Sequence, residues 1–408
     1  MRQALFKDQV LSDRERKNLD ILEVIRRYGP VTRTEISRIT KYNIVTVSNY
    51  ANNFIKKDLI IEKGLDVSSG GRKPTLVELN SKNCFVIGID IGPQHLIAVL
   101  TDLSLNMIIK IKKPRPKDSM EEVVTKAIEL VYEVMEKFQV EAKKIKGLGI
   151  GLCGVIDAKA GTVRDTDSKR GKTAASYASI KALIEREFGI PTFIGNDATV
   201  AAFGEKRIGL DAEIENILYM YSDVGCGIII KGEIYCGAGG SAGELQLNST
   251  GDTNKDAAWS KGLEGLFKPW GVDLGISDEA RKRLSKGDQE SKIRELVGNN
   301  LDKINGSVVI EAARQGDKLA SEIIDEAGLN LGIRTAYLIN LFNPEIVVIG
   351  GGMEQAGDLL LEPIRRMVRR MAFEEPASMV KIVPSRLGEN AVALGAASLV
   401  IREIFINA

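Results

Sequence analysis

The chain has 408 residues, 44% hydrophobic and 27% charged. At ~150 residues per domain that length fits two or three domains, and an ordinary globular composition excludes collagen-like, low-complexity and disulfide-scaffold classes. No apolar run approaches the ~18 residues of a membrane span, and the opening MRQALFKDQVLSDRERK lacks a signal-peptide core, so a cytoplasmic location is expected.

Net charge is +1 and unevenly spread. Residues 1–82 hold 16 Lys/Arg against 10 Asp/Glu, a surplus of six, on a mildly acidic body. A nucleic-acid-binding module joined to a larger domain gives this pattern, and so does a solvated charged surface. Cys84, Cys153, Cys226 and Cys236 form no C-x-x-C pair and read as small buried hydrophobes. His95 is the single histidine, which excludes a poly-His metal centre. The apolar run Leu96–Leu100 behind it reads as a strand, giving His95 a structural place.

Three helical patterns open the chain. Asn18–Tyr28 carries Leu19, Ile21, Leu22, Val24 and Ile25 and stops at Gly29-Pro30. Thr32 with Glu35 spells a capping box for a second helix bearing Ile36 and Ile39. Asn43 starts a third, with Val47, Ala51 and Phe54 inward and Thr46, Ser48, Asn49, Asn52 and Asn53 on the other side. Short amides and hydroxyls fit base edges and phosphates, making Asn43, Thr46, Ser48, Asn49 and Asn53 candidate DNA contacts. Leu59–Glu62 and Thr75–Leu79 then read as two strands around the tip SSGGRKP, where Arg72 and Lys73 suit phosphates or a narrow minor groove. A winged helix-turn-helix over 1–82 is the expectation; a protein-docking module with a charged loop is the alternative.

From Cys84 the pattern becomes α/β. Strands are expected at Phe85–Asp90, Leu96–Leu100 and Met107–Ile111, a helix at Met120–Phe138, a strand at Gly147–Leu152, a helix at Ile180–Phe188 and a strand at Thr192–Gly195. Asn216–Tyr221, Gly227–Ile230 and Glu233–Cys236 repeat the three-strand opening. A helix ending near Phe342 and strand Ile346–Ile349 follow, leading into Gly350-Gly351-Gly352. Two βββαβα units imply an internal duplication with a ligand cleft between lobes. No G-x-G-x-x-G follows a strand, so a nicotinamide-binding Rossmann fold is not indicated.

GIGLCGVID (149–157), GNDATVAAFGE (195–205), GAGGSAGE (237–244), NPEIVVIGGG (343–352) and GENAVALGAA (388–397), together with the wing tip, resemble the transcriptional-regulator branch of the ROK family (repressor, ORF, kinase). The resemblance implies a winged helix-turn-helix followed by an α/β actin-like, sugar-kinase-type two-lobed domain. The lobes would comprise 83–196, completed by 386–408, and 197–385. A last helix, Ala391–Ile404, would pack back on the first lobe. It also implies a homodimer on double-stranded operator DNA, with a small carbohydrate effector.

Against the family pattern, both phosphate loops are altered. The first, D-x-G-G-T in the kinases, reads Asp90-Ile91-Gly92-Pro93-Gln94; Pro93 removes an N–H donor and Gln94 is bulkier than threonine. The second, G-T-G-I-G, reads Tyr221-Ser222-Asp223-Val224-Gly225, placing a carboxylate where a triphosphate rests. Asp197 matches the kinase general base; without phosphate loops it is a vestigial base that accepts a hydroxyl hydrogen bond. The family's zinc ligands are replaced by Leu247, Trp259, Lys261 and Leu266, so neither zinc nor ATP is expected. The resemblance makes Asn196, Asp197 and Glu244 the sugar contacts. Lys169, Arg170 and Lys268 replace neutral or acidic family positions and fit either solvent or an anionic sugar derivative. The function expected is a regulator, a repressor in most of the family, that senses a sugar without phosphorylating it. The alternative is an ATP-dependent sugar kinase carrying a DNA-binding domain.

Overall fold

The computed structural model describes residues 11–65, 75–116, 120–157, 162–164, 178–221, 225–245, 273–286 and 290–408. The chain divides into two compact units, residues 1–163, 175–200 and 392–408 in the first and 164–174 and 201–391 in the second.

The first unit opens with three helices, α1 (Asp13–Tyr28), α2 (Arg33–Thr40) and α3 (Ile44–Lys56). They pack on an antiparallel sheet of β1 (Val31–Thr32), β2 (Ile60–Leu65) and β3 (Thr75–Leu79), in the order β1-β3-β2. Thr32 and Glu35 form the expected capping box, and Asn43 caps α3 by accepting the Val45 N–H at 2.8 Å. α1 starts at Asp13, ahead of the expected Asn18, because Ser12 and Glu15 form another capping box upstream of the first apolar residue.

The large sheet of this unit contains β4 (Phe85–Ile91), β5 (His95–Asp102), β6 (Met107–Pro114), β7 (Ile145–Leu152) and β10 (Thr192–Asn196), ordered β10-β7-β4-β5-β6. A separate ribbon pairs β8 (Val155–Asp157) with β9 (Thr162–Arg164). Helices α4 (Met120–Phe138) and α5 (Ala178–Phe188) complete the expected order. The second unit carries β11 (Ile217–Tyr221), β12 (Gly225–Ile230), β13 (Glu233–Ile234), β14 (Ile346–Gly350) and β15 (Lys381–Pro384), ordered β13-β12-β11-β14-β15. Each large sheet therefore reads third, second, first, fourth, fifth strand. The first three strands are antiparallel, and the last two run parallel to the first. This is the duplication the repeat of three-strand openings predicts, with β15 supplying a fifth strand that the sequence reading does not name.

Period-two alternation divides the first sheet's faces. Phe85, Ile87, Ile89 and Ile91 of β4, with Ile145, Leu148, Ile150 and Leu152 of β7, join α4 and α5 in one core. On the other face β7 presents Gly147, Gly149 and Gly151 to the chain's last helix, Ala391–Ile406. A Cβ on Gly149 would stand 2.2 Å from the Ala396 carbonyl oxygen, and one on Gly88 of β4 only 1.9 Å from that of Ala393. Gly88 and Gly149 thus make room for the helix backbone, while Gly147 and Gly151 make room for the Val400 and Val392 side chains.

The far half of that helix does not stay on the sheet. Ala397, Val400, Ile401 and Phe405 share one core with Ile21, Leu22, Val47, Phe54 and Val77 of the N-terminal module and with Cys84 and Val86 of the body. Phe54 and Phe405 meet edge to face at 4.9 Å. Three module side chains donate to carbonyls at the helix's end: Asn18 to Ile406 at 3.3 Å, Lys57 to Asn407 at 2.8 Å and Arg14 to Ala408 at 3.2 Å. Two cations and an amide at the negative end of a helix dipole satisfy acceptors that a helix cannot satisfy itself. The boundary expected at 82/83 is thus crossed by continuous packing, and Cys84 itself donates to the Asp58 carbonyl at 3.0 Å.

The second unit builds a single core from β11, β12 and β14 with helices Ile276–Ser285, Gly306–Arg314, Lys318–Phe342 and Asp358–Met371. Cys84, Cys226 and Cys236 are buried as expected, while Cys153 is half-buried. Among the described residues no helix is long and apolar enough to cross a membrane.

Candidate functional site

Asp90 lies near the end of β4, and Asp197 follows β10 at the first position of α6 (Asp197–Gly204). Gly151 of β7 pairs with Asp90 on one side and Gly195 on the other. The three parallel strand ends thus bring both carboxyls to one edge of the sheet. Both are buried. Burial pushes the Asp90 carboxyl well above the usual carboxylate range, the negative charge of Asp197 pushes it further, and Lys112 pulls weakly the other way. Asp90 Oδ1 is buried without a hydrogen-bond partner among the described residues. Asp197 Oδ1 accepts the Ala198 N–H at 2.8 Å, which fixes it at the front of α6. A carboxyl shifted toward its protonated form beside a second carboxyl favours a donor and an acceptor side by side, a pairing suited to a hydroxyl group.

Asn196 positions this edge. Its Nδ2 donates to the Gly154 carbonyl at 3.0 Å, and its Oδ1 accepts the Thr199 N–H at 3.2 Å, tying the turn after β7 to α6.

The turn after Asp90 is closed on itself. The Gly92 N–H donates to the His95 carbonyl at 3.1 Å, and Arg115 Nη1 donates to the Gly92 carbonyl at 3.0 Å. With Pro93 lacking an N–H, two of the amides that could turn toward a phosphate are occupied or absent. His95 takes part through its backbone, the structural place expected for it.

Glu244 belongs to the second unit. It bridges to Gly225, and the Cys226 N–H donates to the Gly243 carbonyl at 2.7 Å. Gly243 has φ +92°, and a Cβ there would stand 1.8 Å from the Cys226 carbonyl, so glycine is required for this approach. Burial raises the Glu244 carboxyl above its ordinary value. In the same unit the Gly352 N–H donates to Glu354 Oε2 at 2.8 Å, and a Cβ on Gly350 would strike the Tyr219 hydroxyl at 2.0 Å. The glycine triplet serves a tight strand exit, and its last amide holds a carboxylate.

On α3, Val47, Ala51 and Phe54 are buried as expected; Asn49, Asn52 and Asn53 are exposed, and Thr46 and Ser48 half-buried. Asn43 is exposed with its oxygen engaged as the cap. Asn52 accepts from Arg33 at 3.0 Å, and Arg33 also pairs with Glu62 at 2.9 Å. Sequence reasoning missed two features. Ile44 and Val45 stand exposed at the front of α3; the signal was two branched residues placed before the Val47/Ala51/Phe54 spacing begins. The pairing of Asp90 with Asp197 was also missed, although a carboxylate ending an apolar strand signals a site. Arg72, Lys73, Lys169, Arg170, Asp223, Leu247, Trp259, Lys261, Leu266 and Lys268 lie outside the described residues.

Residues 86–262 and 272–403 match the model of the ROK family. The chain belongs to the ROK family. Among ROK relatives, a putative xylose repressor of Caldicellulosiruptor sp. (strain Rt8B.4) is 31% identical over 392 residues, spanning 94% of this chain and 95% of that one. The Escherichia coli K12 DNA-binding transcriptional dual regulator NagC is 26% identical over 387 residues, spanning 94% and 91%. The fold matches a crystal structure of a ROK-family transcriptional regulator, a homologue of E. coli Mlc. The TM-score is 0.76 at 22% identity, over 96% of this chain and 97% of that one. A ROK glucokinase of Streptomyces griseus, solved with glucose and AMPPNP, matches with TM-score 0.66 at 26% identity, over 77% of this chain and 98% of that one. The family match starts at residue 86, whereas the xylose-repressor alignment takes in 94% of the chain and so most of the N-terminal module.

Proposed function

We propose that this chain is a sugar-responsive transcription regulator, acting as a repressor, that binds double-stranded operator DNA through a winged-helix module and holds a carbohydrate effector without phosphorylating it. Relatives named as xylose and N-acetylglucosamine repressors support the regulator, and they align over nearly the whole chain. The observation that carries the non-catalytic half is the closed turn after Asp90, where the Gly92 amide is held by His95 and Pro93 has none to offer. Asn196, Asp197 and Glu244 are the proposed sugar contacts, with Asp90, whose burial favours its protonated form, as an added donor. Lys169, Arg170 and Lys268 are the proposed counter-ions of an anionic effector. The family's zinc positions hold Leu247, Trp259, Lys261 and Leu266, a set with neither thiolate nor imidazole that does not fit the metal.

A thermal-shift panel of pentoses, hexoses, N-acetyl sugars, sugar phosphates and sugar acids tests the effector. Stabilisation by neutral sugars alone removes the counter-ion role. One observation favours the kinase reading: Asp197 keeps the general-base position, buried at the front of α6. Coupled ADP release across the same sugars decides it. Turnover that vanishes in Asp197→Asn supports a kinase, and background rates support the sensor.

Two half-sites on an operator call for two copies of the chain. Tyr337 and Leu341 are exposed one turn apart on helix Lys318–Phe342, and exposed Phe373 donates its N–H to Asn340 between them at 2.9 Å. Around them Arg369, Arg370, Glu374 and Glu375 make no ion pair among the described residues. An apolar patch flanked by free charges of both signs is self-complementary about a two-fold axis, so this face is the proposed dimer contact. The effector acts on DNA to the extent that it binds two arrangements of the dimer unequally.

A further inference from the structure

α3 differs from its two neighbours at its N-terminal end. α1 and α2 each open with a capping box and at least one acid in the first turn; α3 opens with Asn43 alone and has no acid there. The positive end of its dipole is therefore uncompensated from within the helix. On that turn Ile44 is 43% and Val45 62% exposed. The helix already has a complete buried face in Val47, Ala51 and Phe54, so its own packing does not call for this hydrocarbon. Residues four apart stack on one stripe, which sets Val45 above Asn49 and Ile44 above Ser48. Each stripe presents a branched apolar group followed by a short polar one. Exposed Lys41 and Lys56, at either end of the helix, make no ion pair among the described residues, so a polyanion fits this face better than an apolar protein partner.

The hydrocarbon group on the major-groove edge of a base pair is the C5 methyl of thymine. The leading residues of a recognition helix are those that reach base edges. We propose that Ile44 and Val45 read thymine methyl groups, one or two in each half-site, while Ser48 and Asn49 hydrogen-bond the neighbouring base edges. The inference rests on α3 being the DNA-reading helix of the regulator proposed above.

The test uses the full chain. Affinity selection from a randomised duplex library yields a site, and each thymine in it is then replaced singly by deoxyuridine, which removes the methyl group and leaves pairing intact. At one or two positions per half-site the replacement should weaken binding about fourfold, the worth of one buried methyl group. Val45→Ser or Ile44→Ser should bind the thymine site as weakly as the unsubstituted protein binds the deoxyuridine site and should no longer tell them apart. Val45→Thr, which keeps one methyl on the same branched carbon, should retain part of the discrimination. Equal binding to thymine and deoxyuridine at every position overturns the proposal, as does a full thymine preference surviving in both serine variants. Failure to select any duplex sequence is a different result and removes the DNA-reading assignment itself.

Discussion

Phe405→Ala tests whether the N-terminal module and the lobe that bears Asp90 and Asp197 are one mechanical body. Phe405 is 0% exposed and packs edge to face on Phe54, near the end of α3. Truncating a buried phenylalanine to alanine costs about 3–5 kcal/mol through lost transfer energy and the cavity left behind. Here the cavity opens between α3 and the last helix, so the cost falls on the contact between module and lobe. At about 1.4 kcal/mol per decade the population of an undocked module rises by roughly two to three and a half decades. Hydrogen exchange should show this as lost protection in α3 and β3, with the amides of β4 and β7 retaining most of theirs. In a mobility-shift titration the effector should lose most of its influence on operator affinity. Phe405→Leu, which preserves more of the volume, should cost about 1 kcal/mol and keep the response. Unchanged protection in α3, together with a full effector response in Phe405→Ala, would refute the claim of a shared core.

Gly149→Ala should destabilise the chain by roughly 1–3 kcal/mol or more, read by denaturant midpoint, because its Cβ meets the Ala396 carbonyl. Asp90→Asn should stabilise the fold at neutral pH. The folded-state pKa of Asp90 lies above its unfolded value, so the folded chain keeps a proton that the unfolded chain releases. Its contribution is fully present below the unfolded pKa and is lost as pH rises to the folded one. The gain in melting temperature should therefore grow from pH 4 to pH 7; an equal loss at every pH would contradict the assignment. Arg72→Ala should weaken operator binding broadly and lower the salt slope by about one, whereas Asn49→Ala should change sequence preference. Leu341→Asp should shift sedimentation toward monomer and lower operator affinity, and an unchanged dimer would remove that face as the contact.

Local signals made much of this fold legible. Thr32 with Glu35 and Asn43 mark helix starts by side chains that satisfy the first free amides, and such chemistry needs no distant partner. The two three-strand openings exposed the duplication through short apolar runs split by turns. What escaped depended on long-range packing. That a last helix packs back on the first lobe came from the family resemblance, but nothing near Gly147, Gly149 and Gly151 in sequence says that these glycines are the surface it lies on. Carbonyls at 406–408 give no hint that Arg14, Asn18 and Lys57 will cap them. β15 was missed because Lys-Ile-Val-Pro is short and ends in proline, and it gains strand character from its parallel partner β14. In the site, Asp197 stood out by resemblance, but the perturbation of Asp90 arises from burial and from a residue 107 positions away in sequence.

These contacts set a short route between the carboxyl edge and α3, the proposed DNA-reading helix. Gly151 pairs in register with Asp90 and meets Val392 on its open face, so the strand edge that bears Asp90 touches the beginning of the last helix. That helix has 16 residues, about 24 Å at 1.5 Å per residue, and its other end is gripped by Phe54, Asn18, Arg14 and Lys57 of the module. Gly88 and Gly149 meet the backbone of that helix directly, with no flexible side chain between them to absorb a displacement, and a close-packed interior transmits strain. A ligand that shifts the Asp90–Asp197 edge thus acts on a rod already fastened to α3. On the proposed reading, in which the closed turn after Asp90 takes no phosphate, the binding energy of a sugar at that edge goes into displacing the helix.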